Sequence, residues 1–403
     1  MAGIVVIGGG QAGAALTAKL RALDYAGPIT LIGEESAPPY QRPPLSKKYL
    51  LGEMGKERLF LRPQSFYAEH DITLRTGLYA SAIDPAAKTV EVGGQALSYD
   101  HLCLTTGSIP VRLPDAIGGG LSGVHVVRTL ADIDAMAPAM ADGARVLIVG
   151  GGYIGLEAAA VAAQKGLEVT LLEQAERILQ RVAAPVTADY FRQAHRAHGV
   201  DLREGCAVRR LLGESHVTGA ELADGTMLEA DLVIVGIGIR PATALAEAAG
   251  LTLDNGIAVD EMGRTSNPAI WAAGDCASFP WRGQRIRLES VQNAIDQAEC
   301  IAANILGAET VYDPVPWFWS DQFDIKLQIA GLNTGYTEVV ARDGGRPGSV
   351  SHWYYRGAEL LAVDAMNDPR AYMIGKRLLE AGKSPAPGAV ADPTQDLKAL
   401  AAA

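Results

Sequence analysis

The sequence predicts an α/β protein with two similar parallel βαβ units and a C-terminal module of α+β type. Three observations lead to this fold class. A strand, a glycine-rich turn and a helix occur near the N-terminus and again from Val146 onward. Each copy continues into a second strand that ends at an acid. From about Pro314, short strand-like runs alternate with turn residues and precede a helix over Arg370–Glu380, which is typical of an antiparallel sheet with a helix.

The two glycine-rich turns follow the same G-x-G-x-x-G spacing. The first occupies Gly8–Gly13 after the apolar strand Ile4–Ile7, and the second occupies Gly150–Gly155 after Val146–Val149. A glycine-rich turn alone is weak evidence, but strand, turn, helix, second strand and acid together form the dinucleotide-binding pattern. Its repetition predicts two Rossmann-like dinucleotide-binding domains.

Equivalent residues of the two turns have the same expected roles. The first glycine permits a tight turn, the second leaves room for a pyrophosphate, and the third lets the helix pack on the strand. Each helix N-terminus then offers free N–H groups to the phosphates. The expected binding residues are Gly8, Gly10, Ala12 and Gly13 in the first turn, and Gly150, Gly152, Tyr153, Ile154 and Gly155 in the second.

The acids that end the second strands are expected to bind ribose hydroxyls. Glu34 and Glu35 are both candidates in the first unit, whereas Glu173 ends the strand of the second unit. A carboxylate at this position accepts both ribose hydroxyls and repels a 2′-phosphate. Arg177 is near, but no arginine follows Glu173 immediately. The sequence therefore predicts NADH rather than NADPH.

Small residues at further strand ends predict close approach of the backbone to a ligand. These are Thr106 with Gly107, Gly236 with Gly238, and Gly274 with Asp275. A helix with one apolar stripe is expected over 291–306. The predicted domains are a discontinuous first dinucleotide-binding domain (1–117 and 243–315), a second dinucleotide-binding domain (118–242) and a C-terminal α+β domain (316–403).

Composition excludes several function classes. The 403 residues suffice for two or three domains, and 20% are charged, as in an ordinary globular enzyme. A net charge of −11 without a basic cluster argues against nucleic-acid binding. No apolar run reaches membrane-spanning length and no export signal is visible, so a cytoplasmic protein is expected. Four scattered cysteines predict neither disulfides nor a metal site.

Specific motifs extend this interpretation over nearly the whole chain. They are Pro39–Lys47, Gly150–Glu157, Ala273–Cys276, Glu289–Ala294 and Pro316–Gln322. On these motifs the chain is identified as a member of the pyridine nucleotide-disulfide oxidoreductase superfamily. It resembles the branch of ferredoxin reductases, of the putidaredoxin reductase type, that serve bacterial haem monooxygenases and Rieske oxygenases. The resemblance implies a glutathione reductase-like fold that binds FAD and NADH.

The resemblance also implies roles for individual residues toward the flavin. Ala12 and Gly13 would contact the pyrophosphate, the backbone of Ala80 the adenine, and Asp275 the ribityl chain. The N-terminus of the helix at Val291 would face the flavin pyrimidine edge. Trp319 is either a core aromatic residue or a ring near the flavin at the ferredoxin surface. The full expected set adds Glu34 or Glu35, Arg42, Lys47, Thr106, Gly107 and Glu289.

Lys47 and Glu157 are the expected catalytic residues. In similar proteins the lysine lies near flavin N5 and pairs with the glutamate, so the pair would position nicotinamide for hydride transfer. The alternative is an ordinary salt bridge with little energetic effect. The segment Pro39–Tyr49 contains Ser46 and no cysteine, which argues against a thiol mechanism and favours a one-electron acceptor.

The resemblance implies a 2Fe-2S ferredoxin as partner and, through it, a haem monooxygenase. A Rieske dioxygenase system, a rubredoxin and an NADH-responsive signalling role similar to that of apoptosis-inducing factor are the alternatives. The C-terminal module is nearly neutral, and Lys326, Lys376 and Arg377 are the candidates for ferredoxin docking. A monomer or weak homodimer is expected. The motifs name neither the cognate ferredoxin nor the final substrate.

Overall fold

A computed structural model describes residues 2–402. The helices are α1 (Gln11–Ala22), α2 (Gln64–Glu69), α3 (Leu130–Met136), α4 (Tyr153–Gln164), α5 (Pro185–Ala197), α6 (Ala244–Ala248), α7 (Val291–Ile305), α8 (Pro369–Glu380), α9 (Pro387–Ala391) and α10 (Leu397–Ala402). The strands are β1 (Ile4–Ile7), β2 (Ile29–Ile32), β3 (Ile72–Arg75), β4 (Ala80–Asp84), β5 (Thr89–Val92), β6 (Gln95–Ser98), β7 (His101–Leu104), β8 (Ser108–Pro110), β9 (Val124–Val126), β10 (Arg145–Val149), β11 (Glu168–Glu173), β12 (Asp201–Glu204), β13 (Val208–Leu212), β14 (Gly219–Leu222), β15 (Met227–Glu229), β16 (Leu232–Val235), β17 (Ile239–Pro241), β18 (Ile257–Ala258), β19 (Ile270–Ala272), β20 (Ala277–Trp281), β21 (Gln284–Ile286), β22 (Trp317–Gln322), β23 (Ile325–Gly331), β24 (Glu338–Asp343), β25 (Val350–Arg356) and β26 (Glu359–Met366).

The chain divides into two compact units. The first unit contains the stretch that ends at Arg42, together with Gly55–Ile109 and Ile239–Pro314. The second unit contains Pro43–Met54, Pro110–Gly238 and the stretch that begins at Val315. Lys47 therefore belongs to the second unit, although it follows the first βαβ unit in sequence.

The first unit is organised around a five-stranded parallel sheet in the order β19-β7-β1-β2-β3. Ile4 pairs with Ile29 on one side and with His101 on the other. All four residues of β1 are buried, which explains their continuous apolar character. Helix α1 and the predicted helix α7 contribute Leu16 and Ile301 to one core. This packing fixes the N-terminus of α1 at the carboxyl end of β1.

The second unit repeats this arrangement in the sheet β12-β11-β10-β16-β9, whose strands are all parallel. Helix α4 is rich in alanine because it is buried over most of its length, from Gly155 to Ala162. A small antiparallel sheet, β13-β14-β15, belongs to the same unit. The predicted repetition of the Rossmann-like unit is therefore confirmed.

A five-stranded antiparallel sheet, β22-β23-β26-β25-β24, forms the C-terminal part of the second unit. Helix α8 packs on this sheet, and their core contains Trp353, Val363 and Leu378. The predicted α+β module is confirmed. Strand β22 was not predicted as a strand, and it places Ser320 and Gln322 on one buried face.

The last segment differs from the sequence-based expectation. A Pro/Ala-rich tail after Gly382 suggests a loosely held terminus. In the structure, Val390 and Leu397 are buried in the C-terminal core. The guanidinium of Arg342 donates to the carbonyls of Val390, Asp392 and Gln395 over 2.7–2.8 Å. The expectation was wrong because it considered only local composition, whereas a distant arginine anchors this backbone.

Two further findings concern residues 2–402 as a whole. None of their helices is long and apolar enough to cross a membrane. Within the same residues, no group of three or more His, Cys, Asp or Glu side chains could hold a metal ion.

Candidate functional site

The first glycine-rich turn has the geometry that a pyrophosphate requires. Gly8 has a φ of +119°, and a Cβ there would lie 2.1 Å from the carbonyl oxygen of Thr105. A Cβ on Gly13 would lie 2.1 Å from the oxygen of Gly8, so close packing demands glycine at both positions. A Cβ on Gly10 would meet no atom within 4 Å. The space at Gly10 is therefore open beside the uncapped N-terminus of α1.

The second turn repeats this geometry. Gly150 has a φ of +111°, and its Cβ would lie 2.4 Å from the oxygen of Gly236. A Cβ on Gly155 would lie 2.0 Å from the oxygen of Gly150, whereas one on Gly152 would meet nothing within 4 Å. Gly152 caps helix α4 without a side-chain hydrogen bond. Both turns thus fit a dinucleotide whose pyrophosphate lies at the helix N-terminus.

Two residues of the second turn differ in environment. The ring of Tyr153 packs on Phe318 at 4.9 Å between centroids, and burial raises the pKa of the Tyr153 hydroxyl. The neighbouring Ile154 remains 42% exposed. Gly238 follows β16 with a φ of +118°, so this strand end also requires glycine. These residues line the carboxyl edge of the second parallel sheet.

Glu173 ends β11 with both carboxylate oxygens in use. Oε2 accepts from the N–H of Gly151 over 2.7 Å, and Oε1 accepts from the N–H of Ala175 over 2.7 Å. Arg177 donates instead to the carbonyls of Ile178 and Gln180 at 3.4 and 3.3 Å. The negative charge of Glu173 is therefore fixed beside the glycine-rich turn.

The structure distinguishes the two acids after β2. Glu35 accepts from the Tyr40 hydroxyl over 2.6 Å and from the guanidinium of Arg42 over 2.7 Å. Arg42 also donates to the Tyr40 oxygen over 3.0 Å. Glu34 is exposed and has no hydrogen bond or ion pair within the part of the chain that the structure describes. Glu35 and Arg42 thus form a local cluster, whereas Glu34 is available to a ligand.

Other predicted residues of the first unit lie at the ends of its strands. The Thr106 hydroxyl donates to the carbonyl of Ala242 over 2.7 Å, and Gly107 has a φ of +70°. The Ser108 hydroxyl donates to Oδ2 of Asp275 over 2.8 Å. This bond orients the Asp275 carboxylate at the carboxyl end of β19, as a strand-end ligand requires.

Val291 is the first residue of α7. The N-cap residue Ser290 accepts from the N–H of Asn293 over 3.1 Å, so the remaining N–H groups of the first turn stay available. Glu289 is bound by Arg287 over 2.6 Å near the protein surface. Ala80 begins β4 and is buried.

The second unit brings Lys47 and Glu157 together. Lys47 Nζ lies 2.8 Å from Glu157 Oε2, and Glu157 is almost fully buried within α4. Ser46 donates to the same oxygen over 2.6 Å, while Ser320 donates to Oε1 over 2.7 Å. Three donors therefore surround one buried carboxylate.

Ser320 and its neighbour Gln322 were missed at the sequence level as functional candidates. Gln322 Nε2 donates to the Ser320 hydroxyl over 3.2 Å, and Gln322 Oε1 lies 2.9 Å from His195 Nε2. Polar residues at alternate positions of Trp317–Gln322 were the available indication, because alternate strand residues share a face. That pattern could not indicate that Gln322 bonds to His195 on helix α5.

The remaining predicted residues concern the acceptor and thiol chemistry. The Trp319 ring is half-buried and lies 5.8 Å from the Trp317 ring, between centroids. Burial raises the pKa of the Cys103 and Cys276 thiols, which disfavours reactive thiolates there.

The lysines predicted for ferredoxin docking differ in their surroundings. Lys326 is exposed, whereas Lys376 lies 5.5 Å above the Trp317 ring and 3.5 Å from Glu380.

Comparisons with known proteins agree with this architecture. Residues 2–298 match the family model of the pyridine nucleotide-disulphide oxidoreductases, and residues 317–401 match the reductase C-terminal domain. A ferredoxin–NAD(P)+ reductase from Sphingomonas sp is 45% identical over 98% of this chain and 96% of its own length.

Two solved structures are also similar over the whole chain. The ferredoxin reductase for the CYP199A2 system from Rhodopseudomonas palustris has a TM-score of 0.96 and 39% identity, with 100% of both chains covered. Putidaredoxin reductase, in its covalent complex with putidaredoxin, has a TM-score of 0.95 and 39% identity, with 99% of this chain and 98% of that chain covered.

These matches confirm the predicted fold and the resemblance to ferredoxin reductases of the putidaredoxin reductase type. They also confirm the predicted enzyme class, an FAD-dependent oxidoreductase that uses NAD(P)H. The chain belongs to the pyridine nucleotide-disulphide oxidoreductase family and has a reductase C-terminal domain.

Proposed function

We propose that this enzyme oxidises NADH and reduces a 2Fe-2S ferredoxin that supplies a haem monooxygenase. Bound FAD would supply the chemistry that couples a hydride donor to a one-electron acceptor. The chain's own contribution is to bind both dinucleotides, to position nicotinamide and to dock the acceptor protein.

The buried pair of Lys47 and Glu157 is the main support for the hydride-transfer step. Burying two charges costs free energy that their attraction offsets only with good geometry and additional hydrogen bonds. Here the Nζ–Oε2 distance is 2.8 Å, and two serine hydroxyls complete the carboxylate's surroundings. Such a cluster fixes a positive charge in one place, which suits positioning of a reacting ring better than stabilisation of the fold.

Glu173 supports the preference for NADH. Its carboxylate is fixed by two backbone N–H groups at the end of β11, so it cannot easily turn away from a bound ribose. A 2′-phosphate would meet this negative charge, whereas two ribose hydroxyls would donate to it. The Arg177 guanidinium donates to the backbone carbonyls of Ile178 and Gln180 and not to Glu173.

Residues of the first unit fit the proposed FAD site. Gly10 leaves open space at the N-terminus of α1, and Glu34 is unpaired at the end of β2 within residues 2–402. We assign the adenosine ribose to Glu34, because Glu35 is bound by Tyr40 and Arg42. Asp275 would bind the ribityl chain, and the N-terminus of α7 at Val291 would stabilise negative charge on the reduced flavin.

The ferredoxin partner is supported by the carriers and systems that similar reductases serve and by the sequence around Ser46. One relative is a reductase bound to putidaredoxin, and another belongs to the CYP199A2 system. The segment Pro43–Met54 has no cysteine, so electrons have no thiol route there. We place the docking surface on the C-terminal module, with Trp319, Lys326 and Lys376 among its residues.

Reconstitution tests this function. NADH-dependent reduction of cytochrome c is measured with no carrier, with a 2Fe-2S ferredoxin and with a rubredoxin at equal concentrations. We expect the ferredoxin, but not the rubredoxin, to increase the rate of cytochrome c reduction strongly. Stimulation only by rubredoxin would contradict the carrier assignment, and slow turnover with every carrier would favour the signalling alternative. Turnover is then measured separately for a haem monooxygenase and for a Rieske dioxygenase, each supplied by the reductase and the ferredoxin. The enzyme that turns over identifies the terminal enzyme that the ferredoxin supplies.

A further inference from the structure

A line of buried polar side chains leads from Glu157 to helix α5. Glu157 Oε1 accepts from Ser320 over 2.7 Å, and the Ser320 oxygen accepts from Gln322 Nε2 over 3.2 Å. Gln322 Oε1 lies 2.9 Å from His195 Nε2. None of Ser320, Gln322 and His195 is more than 1% exposed. The line of side chains is therefore buried along its whole length from Glu157 to His195.

The direction of every hydrogen bond in this line follows from its end at a carboxylate. Glu157 can only accept, so the single hydroxyl proton of Ser320 must point to Oε1. The Ser320 oxygen then accepts, which turns the amide nitrogen of Gln322 toward it and the amide oxygen toward His195. His195 must therefore bear its proton on Nε2.

The state of His195 agrees with this direction. Burial lowers the pKa of His195 to about 4, so the ring is neutral near pH 7 and can donate through one nitrogen only. Its Nδ1 has no hydrogen-bond partner among the described residues, so a proton on Nδ1 would be a buried donor without an acceptor. Phe323 packs edge-on to the same ring at 5.0 Å between centroids and limits its rotation.

We propose that Ser320 and Gln322, which is in turn hydrogen-bonded to His195, are positioning residues that fix the Glu157 carboxylate for hydride transfer. Ser320 holds Oε1, which leaves Oε2 directed at Lys47 and Ser46. Without Ser320 the carboxyl plane could rotate, and the Lys47 ammonium would follow it. This proposal rests on the positioning role proposed above for Lys47 and Glu157.

The first test compares Ser320→Ala and Ser320→Thr by anaerobic single-turnover kinetics of the holoenzyme with NADH. Loss of a hydrogen bond to a charged group predicts a hydride-transfer rate lower by about tenfold in Ser320→Ala, with a smaller change in NADH affinity. Ser320→Thr keeps the hydroxyl and should recover most of the rate. Ser351→Ala is the matched control, because Ser351 is a buried serine of the same module that binds Trp353.

Gln322→Leu provides a second variant, in which the Ser320 hydroxyl remains but loses its donor. We expect a rate between those of the wild type and Ser320→Ala. A rate unchanged in both Gln322→Leu and Ser320→Ala would overturn the proposal. The proposal would also be overturned if hydride transfer slowed as much in Ser351→Ala as in Ser320→Ala and did not recover in Ser320→Thr.

A spectroscopic measurement is independent of turnover. Nitrogen-15 chemical shifts of labelled histidine, assigned by the signal missing from His195→Gln, should show the neutral Nε2–H form in the wild type. In Ser320→Ala the amide of Gln322 is free to turn, so the Nδ1–H form should become populated. A wild-type ring in the Nδ1–H form would contradict the proposed directions of the hydrogen bonds. An Nε2–H population that is the same in Ser320→Ala as in the wild type would also contradict them.

A double-mutant cycle separates this proposal from the one on which it rests. If Glu157→Ala leaves hydride transfer unchanged, the positioning role of Lys47 and Glu157 fails, and the present proposal fails with it. If Glu157→Ala slows the reaction, Ser320→Ala should have no further effect in that background. A full additional tenfold loss there would overturn the role of Ser320 and leave the ion pair's role intact.

Discussion

Lys47 Nζ lies 2.8 Å from Glu157 Oε2, and the Glu157 side chain is only 2% exposed. Glu157→Gln keeps the shape but removes the charge that holds the ammonium. Because small displacements of positioning groups slow reactions strongly, we expect hydride transfer to slow by about ten- to a hundredfold. Anaerobic stopped-flow reduction by NADH measures this rate. Glu359→Gln, which breaks an exposed pair with Arg356, is the control and should leave the rate unchanged.

Glu173→Ala should change dinucleotide specificity. The substitution removes both the acceptor for ribose hydroxyls and the charge that repels a 2′-phosphate. We expect kcat/KM for NADH to fall by about tenfold, because hydrogen bonds to a charged group are lost. We expect kcat/KM for NADPH to rise, because the charge that repels the 2′-phosphate is removed. Steady-state kinetics with both dinucleotides measure the ratio. A wild-type enzyme that prefers NADPH would contradict the proposed role.

Two glycines of the second turn should respond differently to alanine. A Cβ on Gly152 enters open space, so Gly152→Ala should fold normally and bind NADH at least about tenfold more weakly by obstructing the pyrophosphate. A Cβ on Gly155 would lie 2.0 Å from the Gly150 oxygen, so Gly155→Ala should lose about 1–3 kcal/mol of stability. Thermal unfolding and NADH titration distinguish the two. Equal loss of stability in both variants would contradict the assignment.

Charge reversal on the C-terminal module tests the docking surface. Lys326→Glu and Arg377→Glu should raise the ferredoxin KM several-fold at low salt and less at high salt, because salt screens exposed charges. The rate with ferricyanide should not change. The same charge change at the exposed Arg209 is the control. A ferredoxin KM insensitive to the first two variants would remove them from the docking surface.

Asp364 should make stability depend on pH. It accepts from the hydroxyls of Thr187 and Tyr354, and His352 bonds to the same Thr187 oxygen. Burial raises the pKa of Asp364 from 3.8 to about 7, and the two hydroxyls oppose this rise. Between these values the folded state keeps a proton that the unfolded state has lost. The stabilisation is therefore full below the unfolded pKa and is lost as the pH rises through the folded one.

Asp364→Asn removes this titration. The free energy of unfolding of the wild type minus that of the variant should fall with rising pH, by up to about 1.4 kcal/mol per pH unit between the two pKa values. Urea unfolding of the holoenzyme at several pH values measures the difference. A difference that is constant with pH would contradict the buried, protonated state.

Much of the fold could be predicted because its determinants are local. Gly8–Gly13 and Gly150–Gly155 lie between a strand and a helix that are contiguous in sequence, so the spacing alone indicates both turns. The apolar stripe of α7 and the alternating strands of the C-terminal module are equally local patterns. The motif resemblance added the expectation that Lys47 and Glu157 lie together, and the structure places their charged groups in contact.

The tertiary structure decided what depends on residues distant in sequence. Ser320 is 163 positions from Glu157, and Gln322 is 127 positions from His195, so no periodicity relates them. The pairing of Glu35 with Tyr40 and Arg42, on which our proposal for Glu34 rests, likewise depends on side-chain orientation, and the position of the last segment depends on Arg342. The sequence by itself determined the two dinucleotide-binding units, since local steric and hydrophobic rules specify them. Only the folded chain determined how the buried carboxylate of Glu157 is held, because its hydrogen bonds join segments that tertiary packing alone brings together.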